Sequence, residues 1–187
     1  HNHYYYKVDL SNSDLLQENL NEISKSHKDI SVIVNNAGIN YDSLILRMKF
    51  EQWSKVIQTN LNSNYQIIKS LLPNMLSNKY GKIIGISSIV GTTGNQGQAN
   101  YVASKSGMVG LYKSIALEVA KRNINVNIIS PGFIATKMTD NLNDDQRTAY
   151  LSKIPMSRFG KPEDIANLVY FLSTDEASYI TGQNFHV

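Results

Sequence analysis

Strand-length apolar runs, each closed by Asn, Ser, Gly or Pro, alternate along this chain with longer segments whose apolar residues recur at helical spacing. The runs are ISVIVNNAG, KIIGISS, INVNIISPG and the terminal GQNFHV. Most are apolar at nearly every position, which is the pattern of strands buried on both faces. The helical segments are LLQENLNEISKS, with Leu15, Leu16, Leu20 and Ile23 on one face; EQWSKVIQTNLNSNYQIIKSLLPNML, with Pro73 near its far end; QANYVASKSGMVGLYKSIALEVAKR; DDQRTAYLSK; and KPEDIANLVYFLST. Pro162 near the start of the last, with Glu163 and Asp164 in its first turn, suits a helix N-terminus. Strands alternating with helices predict an α/β fold, a doubly wound parallel sheet in three αβα layers. The opening YYYKVD also has strand composition, and Ser11 or Ser13 can cap the helix after it.

Bulk properties narrow the function. A length of 187 residues suits a single domain, 1–187, with a substantial core, and 42% hydrophobic with 18% charged residues is globular composition. There is no cysteine, which excludes disulfides and thiolate chemistry. The longest apolar runs are too short to span a bilayer. A net charge of +3 fits an anionic ligand or acidic partner without calling for nucleic acid.

The chemistry concentrates between Gly85 and Gly107, GISSIVGTTGNQGQANYVASKSG. Ser88 ends a strand, where open α/β sheets place their ligands. Tyr101 and Lys105 are four residues apart, so on a helix they share a face one turn apart. An ammonium roughly 5 Å from a phenol, at an effective dielectric of about 20, favours the phenolate by about 3 kcal/mol. That is about two units off the ordinary tyrosine pKa of about 10, before desolvation opposes it. With Ser88 holding a carbonyl and Tyr101 giving it a proton, a hydride delivered to the other face would complete a ketone reduction. The segment GTTGNQG is not a phosphate loop, because its spacing is G-x-x-G-x-x-G and it lies between Ser88 and Tyr101.

The block S-x12-Y-x3-K, with NNAG upstream and PGFIAT downstream, resembles the short-chain dehydrogenase/reductase family over nearly the whole chain. ISSIVGTTGNQGQANYVASKSG is most similar to its 3-oxoacyl-acyl-carrier-protein reductases. The resemblance implies a Rossmann-like fold, NADP(H) as cofactor, and a catalytic tetrad of Asn60, Ser88, Tyr101 and Lys105. In it Asn60 binds a water that links the lysine to solvent, and Tyr101 and Lys105 also contact the nicotinamide ribose. Asp9 would bond the adenine amino group, with Leu10 touching the ring through its backbone, although an Asp before a helix also serves as a cap. Asn36 would border the adenosine half, although NNAG is also a plausible tight turn. Ile134 would bond the carboxamide through its backbone, with Thr136 in support, and residues from about Lys137 to Lys153 would form a lid.

An acyl carrier protein is the implied partner, docked by Lys79 and Arg122 at the cleft mouth; helix-terminal cations also simply complement the macrodipole. A homotetramer in a bacterial-type cytoplasm, or a plastid or mitochondrial matrix, is implied too. The family's opening T-G-x-x-x-G-x-G turn has no counterpart before YYYKVD, so the chain reads as lacking its first dinucleotide-binding unit. Two alternatives stay open: another reductase of the family acting on acyl-CoA or alcohols, and a non-catalytic scaffold subunit.

Overall fold

A computed structural model describes residues 3–135 and 143–187. Its centre is a sheet of four parallel strands in the order β1-β2-β3-β4: Val32–Asn35, Gly81–Ile86, Ile124–Ser130 and Asn184–His186. Residues alternate between the two faces, and both are covered. Ile33, Ile83, Val126 and Ile128 pack under α3 (Ser63–Asn78) and α5 (Ala99–Val119), against Ile68, Leu71, Met75, Met108 and Ala116. Ile84 and Ile129 turn to the other face, against Leu172 of α7 (Pro162–Leu172) and Ala177. Each fully buried aliphatic side chain contributes about 1.5–3 kcal/mol. The predicted three-layer α/β fold is the observed one.

All seven residues of β3 are buried, its two asparagines included. Asn125 and Asn127 donate their amides to the carbonyls of Ser178 and Ile180, both at 2.8 Å, and Asn127 Oδ1 accepts from Gln183 N. Buried amides are thus satisfied by the chain on its way into β4. At the end of β2, Ser87 N donates to Ile129 O and Ile89 N to Pro131 O, so the exits of β2 and β3 are tied together.

Several local expectations are corrected. YYYKVD is not a strand: it pairs with none of the four, and Tyr4 and Tyr5 are exposed. Strand propensity without a partner for the backbone groups builds no strand. The cap of α1 (Ser13–Ser26) is neither serine but Asn12, whose Oδ1 accepts from Leu15 N at 3.1 Å. The long helix that carries Asn60 is divided: α2 (Phe50–Ile57) passes through a π-helical turn, Gln58–Asn62, before α3. The first half of the glycine-rich segment is one helical turn, α4 (Val90–Thr93). The segment DDQRTAYLSK forms α6 (Asp144–Leu151), capped by Asn143. No helix among the described residues is long and apolar enough to cross a membrane.

Candidate active site

Parallel strands all end at one edge of the sheet, and the expected chemistry gathers there. Asn36 follows β1, Ser87 and Ser88 follow β2, and Pro131–Ile134 follow β3. α5 begins beside this edge. Its first turn is set by buried Asn100, which accepts from Tyr101 N at 2.8 Å and donates to Tyr41 O at 3.0 Å. Two serines lock the helix to the loop after β2: Ser87 Oγ donates to Lys105 O at 3.0 Å, and Ser106 Oγ to Gly91 O. Ser88 and Tyr101 are half-buried, whereas Lys105 is only 3% exposed.

The lysine and tyrosine meet as their spacing predicts, with Lys105 Nζ 5.6 Å from the Tyr101 ring centroid. The electrostatic outcome is different. Lys105 Nζ donates a hydrogen bond to Ile86 O at 2.7 Å, and burial pulls its pKa down to about 8. Burial raises the Tyr101 pKa, and the nearby Asp42 carboxylate raises it further; the Ser88 hydroxyl opposes them. The expected lowering of the tyrosine is therefore corrected to a rise, because desolvation of the phenolate dominates. Tyr101 is a protonated phenol at neutral pH, beside a cation.

Asn60 is fully buried in the π-helical turn. Its side chain accepts from Ile39 N and donates to Ile39 O, both at 2.8 Å, and donates to Ser104 Oγ at 3.1 Å. Its amide is a clamp on the chain leaving the NNAG turn. The wide turn is sustained locally: Ser63 N bonds back to Gln58 O, and Ser63 Oγ donates to Thr59 O at 2.6 Å. Such turns inside helices occur frequently at functional sites.

The other expected residues are spread more widely. Asn36 opens on a groove of about 530 Å³ shared with Ile86 and with Ile165 and Val169 of α7. Ile134 forms a parallel bridge with Gly160 made by Ala135 N and Phe133 O, so its own N–H and C=O take no part in that bridge. Thr136 and the stretch 137–142 lie outside the described residues. Asp9 is exposed in the turn before α1, where Oδ1 accepts from Ser11 N and Ser11 Oγ, bonds that lower its pKa; Leu10 beside it is half-buried. Lys79 and Arg122 are exposed and are not at the cleft mouth. Lys79 lies two residues before β2 and Arg122 two before β3, at the opposite edge of the sheet from Ser88. Six residues of strand put about 20 Å between the two edges.

Sequence reasoning passed over Ser87, Asn100, Ser104 and Asp42. Their types are common in loops and helix ends, and only tertiary packing shows what they hold. Among the described residues no group of acidic or histidine side chains could hold a metal ion.

The whole chain, residues 1–187, matches a family model described as enoyl-(acyl carrier protein) reductase. Among curated proteins it is 48% identical over 186 residues to the 3-oxoacyl-[acyl-carrier-protein] reductase of Buchnera aphidicola subsp. Schizaphis graminum, covering 100% of this chain and 76% of that protein. It is 50% identical over 182 residues to the enzyme of that name from Rickettsia felis, covering 97% and 75%. With the enzyme of that name from Escherichia coli the identity is 49% over 168 residues, covering 90% and 69%. The parallel sheet, the Ser88–Tyr101–Lys105 edge and these likenesses agree: the chain belongs to the short-chain dehydrogenase/reductase family.

Proposed function

We propose that this protein reduces a 3-oxoacyl group carried on acyl carrier protein to the 3-hydroxyacyl form, with NADPH as reductant. The observation that carries the proposal is the half-buried phenol of Tyr101, kept protonated by burial and Asp42, with Lys105 Nζ 5.6 Å from its ring and Ser88 beside it. A proton donor that is un-ionised at neutral pH, next to a cation that can bear the charge it leaves, suits protonation of a carbonyl oxygen.

The residues fit a nicotinamide nucleotide. Gly38 lies where an added Cβ would come within 3.4 Å of Asn60 Oδ1 and 3.5 Å of Lys105 Nζ, so the absence of a side chain leaves an opening beside the lysine. The ammonium has N–H donors beyond the one directed at Ile86 O, and Ile134 has backbone groups outside its bridge. Lys105 and Tyr101 would hold the ribose hydroxyls, Ile134 the carboxamide, and Asn36, Asp9 and Leu10 the adenosine half. When bound, the reduced nicotinamide supplies the hydride that reaches the carbonyl carbon.

The chain's own part is to hold and protonate. Ser88 Oγ and the Tyr101 hydroxyl converge on the substrate's ketone oxygen, so charge developing there meets two fixed donors. Tyr101 then transfers its proton to that oxygen. The phenolate left behind faces the Lys105 ammonium, which at a pKa of about 8 is mostly charged at neutral pH. Asn60 keeps the NNAG turn in place beside the lysine.

The carrier-linked substrate rests on the likeness of the GNQGQANY loop, and the preference for NADPH on the family alone. Within one copy of the chain, Lys79 and Arg122 do not flank the site. Exposed apolar side chains on the long helices, Tyr65 on α3 and Leu117 on α5, support self-association, and a tetramer in a bacterial-type cytoplasm follows the same likeness. The test is loss of reduced-nicotinamide absorbance on mixing the full-length enzyme with a 3-oxoacyl thioester. Tyr101→Phe is expected to abolish turnover; full activity in that variant would overturn the proposal. Carrier-linked against CoA-linked substrate, and NADPH against NADH, decide the finer parts.

A further inference from the structure

The face of α5 that holds Tyr101 and Lys105 carries a second tyrosine two turns on, Tyr112, which is completely buried. Its hydroxyl joins the ends of two other elements. Asn35 Nδ2, at the end of β1, donates to it at 2.7 Å, and it donates to Asn64 Oδ1, in the first turn of α3, at 2.6 Å. Asn64 Nδ2 in turn donates to the carbonyl of Asn60 at 2.9 Å. Asn60 donates to Ser104, and Ser104 Oγ donates to Tyr101 O at 2.7 Å. The circuit leaves α5 at Tyr112 and returns to it at Tyr101.

Chemistry settles the direction of these bonds. The Asn60 carbonyl can only accept, so the Asn64 amino group must face it and Asn64 Oδ1 must face the tyrosine. Tyr112 therefore donates to Asn64, and its remaining lone pair receives Asn35. Every side chain in the circuit is buried: Asn35, Asn60, Asn64 and Ser104 are at most 7% exposed. The strand is shaped to admit this tyrosine. Gly85 lies against its ring, and a Cβ there would stand 2.6 Å from two ring carbons. A glycine inside a buried strand is otherwise a poor choice, and it often marks a close approach.

We propose that Tyr112 is a positioning residue for the reaction: through Asn64 it sets the π-helical turn that carries Asn60, and through Asn35 it sets the strand end that leads into Asn36–Gly38. Those two pieces form the wall against which the Lys105 ammonium lies. A phenylalanine of the same shape would fill the core but leave the Asn35 donor and the Asn64 acceptor without partners, and both would have to shift. The inference rests on the reading of Tyr101 and Lys105 as the reducing pair.

The test is steady-state kinetics of the full-length enzyme with a 3-oxoacyl thioester, with folding followed by circular dichroism. Tyr112→Phe is expected to lower kcat about tenfold, as a displacement well under an ångström would, while KM for substrate and for cofactor stays within about twofold. Asn64→Asp, the second variant, keeps an acceptor for Tyr112 but, once ionised, sets an oxygen against the Asn60 carbonyl. Its kcat is expected to fall as pH rises through the new carboxyl's titration, a limb that the wild-type enzyme lacks. A folded Tyr112→Phe enzyme with wild-type kcat overturns the proposal. So does an Asn64→Asp enzyme without the added limb, which decides the matter if Tyr112→Phe does not fold. A wild-type enzyme without turnover overturns the underlying reading instead.

Discussion

Replacing Lys105 by methionine should remove a stability cost that is present near neutral pH and absent at high pH, and should leave the protein inactive. The lysine is 3% exposed, and burial brings its pKa from 10.5 to about 8. A folded-state pKa below the unfolded one means that the folded protein disfavours the charge. The penalty is complete below the folded value and disappears as pH rises toward the unfolded value. Linkage between those two values gives a cost of about 3 kcal/mol at pH 7, about 2 at pH 9 and about 1 at pH 10. The hydrogen bond to Ile86 O survives deprotonation, because a neutral amine still donates, so it does not alter this trend. The assay is urea unfolding of the wild-type and Lys105→Met proteins at pH 7 and pH 10, compared as a difference so that other titrating groups cancel. Methionine leaves Ile86 O without its donor, which offsets about 1–3 kcal/mol of the gain at every pH, so the measured quantity is the change: the difference between the two proteins should move against methionine by about 2 kcal/mol from pH 7 to pH 10. A difference that does not move with pH would refute the reasoning, because the lysine's charge would then cost nothing in the fold.

Three further perturbations test other parts of the structure. Gly85→Ala drives a methyl group into the Tyr112 ring, and overpacking of this kind costs about 1–3 kcal/mol, read as a fall of several degrees in Tm; an unchanged Tm would mean that the ring moves freely. Asn60→Ala removes both bonds to Ile39 and the one to Ser104, with an expected loss of about 2–4 kcal/mol in urea unfolding and a lower kcat. Stability and kcat both at wild-type values would show that the clamp is idle. Lys79→Glu with Arg122→Glu should leave turnover of a small diffusible 3-oxoacyl thioester unchanged, since both residues lie at the far edge of the sheet. A loss with that substrate would contradict the placement, whereas a loss confined to the carrier-linked substrate would reveal docking.

Much of this is legible in the sequence. The apolar runs of β2 and β3 could only be strands covered on both faces, and the i, i+4 spacing of Tyr101 and Lys105 put them together on α5. What spacing cannot carry is the environment. The lysine lies 5.6 Å from the tyrosine ring, as the spacing implies, yet burial, which no local pattern encodes, turns the tyrosine's shift upward. YYYKVD has strand residues but pairs with no strand among the described residues. Lys79 and Arg122 were readable in principle, because residues just ahead of a parallel strand lie at the edge opposite those just after it. Asn60 reads as an ordinary helix position, and only the bond from Ser63 N to Gln58 O shows that the helix widens there.

That widening changes what a small deletion would do. A regular helix advances about 100° per residue, but the wide turn Gln58–Asn62 takes up its extra residue within a single turn, so α2 and α3 stay nearly in phase. Removing one residue from this stretch would not shorten a connection. It would let the turn close to an ordinary α turn, with α2 and α3 in nearly the same relation as before but without the widening that carries Asn60 toward Ile39. In this protein the middle of the longest helical stretch holds one residue in reserve, and losing it would cost the site more than the fold.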